Sequence, residues 1–351
     1  MLYWIFFIII SLFLCILSVN RNLSVQYRIY FQTSLILFIS WFAGFRDGLG
    51  QDYSNYANFL NAGYTDYVKG SFYIEPFFSI FQIIVSSTRL SIVFFFTIIA
   101  LITYYLLIKS FYRYEFTFYI LLIFLMSGIY YGSFNLVRQA CAIAFFVYST
   151  KYIEGKMPLK YIGMILLGST IHLSALFLLP FYFIATQKIS KLFSFILLIG
   201  SFLVGWIIEI DLNSLFSHFS FHYDYYFNRD ESMTGSGFFT YFYNVIMFIL
   251  ILNKERIVNN KRYNIAFNLA LIGVVLFNFI PSMYFLFRFA AYFQIFIIII
   301  TPMLIEIHNK KLVKSLIILV CSFIFIYFIT INNDDKLIVP DKMLPLSSII
   351  K

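Results

Sequence analysis

The sequence predicts an all-α, polytopic integral membrane protein, a single domain over residues 1–351 with about 10–12 transmembrane or re-entrant helices. Three observations carry this expectation. Hydrophobic residues make up 62% of the chain and charged residues only 12%, against about 25% charged in a soluble domain. Apolar runs able to cross a hydrocarbon core of about 30 Å recur from residue 2 to residue 331, with no soluble-length interval between them. The Lys and Arg residues behind the net charge of +9 sit mostly in short connections between those runs, so the charge reports membrane orientation and no nucleic-acid partner is expected.

The elements follow in order. The run 2–19 resembles a signal-peptide core, but no basic residue precedes it and no small-x-small cleavage site follows, while Arg21 and Arg28 come just after. An uncleaved first helix with its N-terminus outside is expected. Further apolar segments lie at about 29–45, 76–88, 90–108, 116–133, 134–150, 161–187, 192–210, 238–252, 263–280, 284–303 and 313–331. Strict alternation cannot put the basic connections Arg21/Arg28, Lys109/Arg113, Lys151/Lys156/Lys160, Lys188/Lys191, Lys254/Arg256/Lys261/Arg262 and Lys310/Lys311/Lys314 all on the cytoplasmic side. The conflict disappears if two segments enter and leave on one side. Segment 76–88 is short, and 161–187 is broken by Gly168-Ser169-Thr170, His172 and Pro180; short or broken segments of this kind line cavities. About ten spans and two re-entrant pieces result. Outer loops are then expected at about 46–75 and 211–237, with the turns near Asn135–Arg138 and before Arg288 on the same face. Cys15, Cys141 and Cys321 lie far apart inside apolar runs, which suits packing rather than disulfides or zinc.

Polar residues embedded in apolar sequence are the candidates for chemistry. A charge at the depth of Arg138 costs about 2.5–3.5 kcal/mol on insertion scales. A guanidinium there suits phosphate oxygens through its planar fork of donors, or it snorkels to headgroups. Arg288, with Tyr292 one turn on, has the same two readings, and Arg46 is a third candidate. Glu75 precedes Pro76, a common helix start, yet a carboxylate at the edge of an outward cavity would also serve as a general base, as would Asp52. No other ionisable side chain lies between Tyr161 and Tyr182 than His172, which either bonds a neighbouring helix or works beside a phosphate. His218 and His222 with Asp224 have metal-ligand spacing but no zincin glutamate, and Asn332-Asn333-Asp334-Asp335 reads as a solvated tail, so no metal is expected. No phosphate-binding loop, dinucleotide fingerprint or nucleophile elbow occurs, and no cofactor is expected.

Taken together, Phe45-Arg46-Asp47 through Gln51-Asp52-Tyr53-Ser54-Asn55-Tyr56, then Glu75-Pro76, Asn135-Leu136-Val137-Arg138-Gln139-Ala140, Ile171-His172-Leu173-Ser174-Ala175 ahead of Pro180, and Arg288 with Tyr292-Phe293 resemble the EpsG family of bacterial polysaccharide polymerases. Family members often have Gly-Thr-Asp-Tyr where this chain has Gly50-Gln51-Asp52-Tyr53, which keeps Asp52 and alters its neighbour. The resemblance implies a Wzy-like glycosyltransferase in the bacterial cytoplasmic (inner) membrane, joining undecaprenyl-pyrophosphate-linked oligosaccharide repeat units at the outer face into capsule, exopolysaccharide or O-antigen. Its partners would be that lipid-linked glycan, membrane lipids, a flippase and a chain-length regulator. Catalytic roles would fall to Asp52, Glu75 and His172, pyrophosphate binding to Arg138, Arg288 and Arg46, and supporting roles to Asn135, Gln139 and Tyr53. The alternatives are a flippase for the same lipid, a membrane O-acyltransferase and a glycan ligase. Two matching halves with broken helices would mark a flippase; the broken segments here do not occupy corresponding positions.

Overall fold

The computed structural model describes residues 2–50, 52–61, 75–88, 91–207, 236–280, 286–331 and Ser348. The helices are α1 (Leu2–Val19), α2 (Val25–Gly44), α3 (Tyr53–Asn61), α4 (Pro76–Ser87), α5 (Ile92–Phe111), α6 (Thr117–Met126), α7 (Ile129–Asn135), α8 (Val137–Glu154) and α9 (Pro158–Ser169). After a 3₁₀ turn over Leu173–Leu178 come α10 (Phe181–Ile184), α11 (Lys191–Ile207), α12 (Ser236–Leu252), α13 (Lys254–Ile257), α14 (Lys261–Asn278), α15 (Leu286–Ile300), α16 (Leu304–Ile307) and α17 (Lys310–Ile331). The described residues are all-α, and every apolar segment read from the sequence holds a helix.

Membrane crossing is more restricted than the expected count. Among the described residues, Ile92–Phe111 and Leu286–Ile307 are long and apolar enough to cross a bilayer; a third span results if Thr117–Met126 and Ile129–Asn135, bent by 50°, count as one. Tyr3–Val19, Pro76–Val85, Lys191–Gly205 and Thr240–Leu252 are apolar but shorter. At 1.5 Å per residue such helices fall short of about 30 Å. The expected outer loop 211–237 falls almost wholly outside the described residues, as do His218, His222, Asp224 and Asn332–Asp335; of the loop 46–75, only residues 46–50, 52–61 and Glu75 are described.

The chain divides into two compact units, one of Met1–Tyr152, Pro158–Leu179 and Lys314–Lys351, the other of Ile153–Met157 and Pro180–Val313. In the first, α1 packs on α2 and α6, α2 on α5, and α3 on α4 and α5. Ser24 caps α2 by accepting from Tyr27 N, and Ser91 caps α5 by accepting from Val93 N at 3.2 Å, each stabilising its helix by about 1 kcal/mol. Apolar contact between helices in lipid gains packing more than hydrophobic free energy, and this unit packs aromatic rings. Trp4 lies edge-on to Tyr131 at 4.3 Å, Phe7 meets Phe42 at 4.1 Å, and Tyr130 donates its hydroxyl to Ile39 O at 2.8 Å.

Two breaks in this unit deliver side chains to the site. Gly128 takes φ +86°, a left-handed conformation open to glycine, and turns the chain between α6 and α7. The expected single segment 116–133 is split there. Leu136, at φ −91° and ψ 45°, then ends α7 and leaves Arg138 as the second residue of α8.

In the second unit α14 lies along α15, with α11 and α12 packed on α14. Its interior holds amides: Asn278 Nδ2 donates to Ser201 Oγ at 2.8 Å, and Asn268 Nδ2 to Ala185 O and Gln187 O at 3.0 and 2.7 Å. Arg262 grips Glu154 through Nε and Nη2 at 3.2 and 3.1 Å.

Candidate active site

Three starts of helical structure meet at the Glu75 carboxylate. Glu75 is the residue before α4, whose first position is Pro76, but its side chain makes no capping bond. It turns instead toward the other elements. Arg138, in the first turn of α8, donates Nη1 to Glu75 Oε2. His172 Nδ1 lies 3.1 Å from Glu75 Oε1, and the backbone N–H of Leu173, opening the 3₁₀ turn, donates to the same oxygen at 3.1 Å. Backbone bonds pin the segments together, because Phe77 N and Phe78 N at the start of α4 donate to Thr170 O at 3.1 and 3.5 Å.

The local sequence explains these positions. Helix α9 stops at Ser169, and Ile171 N and His172 N fold back onto Gly168 O at 3.1 and 3.0 Å, leaving His172 extended at φ −148°, ψ 110°. The interruption at Gly168-Ser169-Thr170 thus turns an apolar helix into a ledge carrying His172. Arg138 sits at the positive end of the α8 dipole, an unfavourable place for a cation, and the Glu75 anion offsets it. Burial pushes the Glu75 carboxyl up, but the His172 bond and the Arg138 charge outweigh burial and hold it below the usual carboxylate range.

Helix α3 completes the site. Tyr56, buried at 6% exposure, accepts from Arg138 Nε at 3.4 Å and packs edge-on to Phe78 and Phe96 and tilted against Phe95. The Arg138 guanidinium also lies over the Phe78 ring at 4.6 Å. Asp52 precedes α3 one turn before Tyr56, with its Oδ1 accepting from Asn55 Nδ2 at 3.3 Å. The Arg138 side chain keeps 28% of its surface exposed while Glu75 and His172 keep 9% each, so the cationic edge is the accessible one.

The remaining sequence candidates are placed differently. Arg46, at 2% exposure, donates to the backbone carbonyls of Ala43, Leu49 (3.1 Å) and Phe134 (3.2 Å), and lies 3.9 Å from the Phe96 ring and 4.9 Å from the Phe134 ring. The cavity beside it holds about 20 Å³, room for about one water and too little for a diphosphate. Its neighbour Asn135 ends α7 against Gly50, which takes φ +101°. Tyr53 packs on Phe96 at 5.4 Å, Gln139 is buried on α8 beside Arg138, and Arg288 is the half-buried third residue of α15 in the second unit. The structure therefore joins Glu75, Arg138 and His172, sets Asp52 just before the adjoining helix, and gives Arg46 a different environment.

Two participants were missed as site residues: the Tyr56 hydroxyl and the Leu173 backbone N–H. Tyr56 was legible as the residue one helical turn after Asp52; the Leu173 donor had no sequence signal. Among the described residues no group of three or more His, Cys, Asp or Glu side chains is placed to hold a metal ion.

A family model described as the EpsG family matches residues 29–345. No curated protein and no solved structure matches the chain. The chain belongs to the EpsG family, which makes it a membrane-associated protein of polysaccharide biosynthesis.

Proposed function

We propose that this EpsG-family protein is a Wzy-like polysaccharide polymerase, joining undecaprenyl-pyrophosphate-linked oligosaccharide repeat units at the outer face of the bacterial cytoplasmic membrane. The observation that carries the reading is the convergence of Arg138, Glu75 and His172 from segments far apart in sequence. A transferase with a lipid diphosphate leaving group needs a fixed cation where negative charge develops and a group to take the acceptor's proton, both in a low-dielectric setting. Arg138 supplies the first, and Asp52, Glu75 and His172 are the candidates for the second.

In this reading the chain is a single polytopic membrane domain with about 10–12 transmembrane or re-entrant helices, the long helices α2, α8, α14 and α17 adding to the spans and shorter apolar helices named above. Arg288 is a candidate anion ligand of the second unit, Asn135, Gln139 and Tyr53 support the segments that carry the site, and Arg46 holds the loop that leads to Asp52. The glycosyl unit passes from diphosphate to acceptor hydroxyl by direct displacement, driven by the pyrophosphate linkage. A flippase delivers the lipid-linked unit and a chain-length regulator limits the product.

The test is the size distribution of surface glycan on a gel, in cells lacking the gene and in cells carrying Arg138→Ala at normal protein level. Glycan stopped at a single repeat unit in both supports the polymerase. A full-length ladder in the deletion strain overturns it, and surface glycan missing altogether points to a flippase.

A further inference from the structure

The proton between His172 and Glu75 decides which of them can act as a base. An ionised carboxylate only accepts hydrogen bonds. Glu75 carries three donors: Arg138 Nη1 on Oε2, and His172 Nδ1 and Leu173 N on Oε1, the latter two at 3.1 Å. With its oxygens so occupied, the carboxylate gains little by taking a further proton. The same bond places hydrogen on His172 Nδ1, and the neutral ring then holds its lone pair on Nε2. Of the titratable and charged groups of this cluster, Glu75 before α4 bonds His172 directly, Arg138 on α8 donates to the other oxygen of that carboxylate, and Tyr56 on α3 accepts from Arg138.

We infer that His172 Nε2 is the general base of this site and that Glu75 is the positioning residue that sets its tautomer and holds Arg138 beside it. This deepens, and rests on, the polymerase reading above. In the step, the acceptor hydroxyl gives its proton to Nε2 and its oxygen bonds the anomeric carbon of the donor. The carbon–oxygen bond to the diphosphate breaks, and its electron pair leaves on the lipid diphosphate. The imidazolium formed next to Glu75 adds one positive charge to the cluster as negative charge appears on the leaving group, a match that favours the transition state. Nε2 is buried, so only a group bound within the site reaches it, and His172 then passes its proton to the departing diphosphate.

Lipid-linked repeat units that accumulate in cells lacking this gene are extracted and supplied to the full-length protein in liposomes of bacterial lipid, and chain formation is followed from pH 5 to pH 9. Wild type should lose rate toward acid along a one-proton limb. His172→Ala should be slower by about 10²–10⁴-fold with no such limb, and added imidazole should restore part of the rate, which also shows that the variant is folded. In Glu75→Gln the amide oxygen still accepts from Leu173 N and His172 Nδ1, so turnover should persist with the limb moved to lower pH, because a neighbouring negative charge is gone. A His172→Ala protein that keeps the acid limb overturns the base assignment alone. So does an inactive Glu75→Gln beside a His172→Ala that imidazole does not rescue. Wild type that forms no chains from the extracted units overturns the polymerase reading itself.

Discussion

Arg138 and Arg46 are two arginines of one compact unit, each set at the end of an apolar segment, and the structure gives them opposite surroundings. Arg138 faces an ionised carboxylate, a phenol and, through the carboxylate, an imidazole, with more than a quarter of its side chain exposed. Arg46 faces three backbone carbonyls and two rings, with 2% exposure and a cavity of about 20 Å³. An arginine whose partners are themselves ionisable can exchange a partner for a ligand and alter the protonation of its neighbours. One that satisfies orphan carbonyls holds a turn together, since the carbonyls at a helix end need donors. The chemistry of the partners, more than burial or sequence setting, separates a candidate site from a brace.

The largest effect should come from Arg138→Ala. Chain extension should fall at least about 10²–10³-fold, as for removal of a preorganised charge-stabilising group, at unchanged membrane protein level. Arg138→Lys should restore little, because an ammonium cannot hold Glu75, Tyr56 and a phosphate in one planar fork. Polymer of normal length from Arg138→Ala would erase the distinction from Arg46.

Next in size, Arg46→Ala leaves three carbonyls without their donor, at about 1–3 kcal/mol for each that stays dry. The expected result is loss of folded protein, read as a lower melting temperature in detergent and less protein in membranes, with activity per folded molecule changed far less. A normally stable Arg46→Ala protein with no polymerising activity would break the comparison by placing Arg46 in the chemistry.

A smaller loss, again in stability, is expected for Gly50→Ala. The added Cβ would lie 2.8 Å from Asn135 Oδ1 and 2.9 Å from Phe134 O, at φ +101°. Strain of about 1–3 kcal/mol should appear as a lowered melting temperature. Because this contact ties the Arg46 loop to the end of α7, Gly50→Ala should resemble a weak Arg46→Ala more than a weak Arg138→Ala.

The smallest effect should be Tyr56→Phe, which keeps the ring against Phe78, Phe95 and Phe96 and removes the acceptor for Arg138 Nε. One hydrogen bond to a charged group is worth about 1.5–3 kcal/mol, and the 3.4 Å separation puts this one at the low end. A rate loss of about tenfold with an unchanged melting temperature is expected. A melting shift as large as that of Gly50→Ala would assign Tyr56 to the scaffold.

Much of the site was visible in sequence for one reason: a charge or imidazole in an apolar run is costly unless compensated. That marked Glu75, Arg138 and His172. The same reasoning marked Arg46 as a third candidate and could not tell that its compensation came from carbonyls. Glu75 before Pro76 read equally well as an ordinary helix start, and only the direction of its side chain, away from α4, distinguishes the two. Among the helices, the break at Gly168–Thr170 was legible from composition, whereas the bend at Gly128 was not, because one glycine in a helical run bends the chain only when its neighbours pack against the turned conformation.

The sequence alone determined the all-α class, the membrane setting and the apolar segments, because each rests on composition and local hydropathy, which need no partner. It also carried the family motifs, legible as short strings in register. Tertiary structure alone decided that Glu75 meets Arg138 across 63 positions and His172 across 97, and that Arg46 turns to Phe134 O across 88. Such pairings depend on where helices stop and how their ends meet. A residue's charge is written in the chain, but its electrostatic partner is chosen by packing.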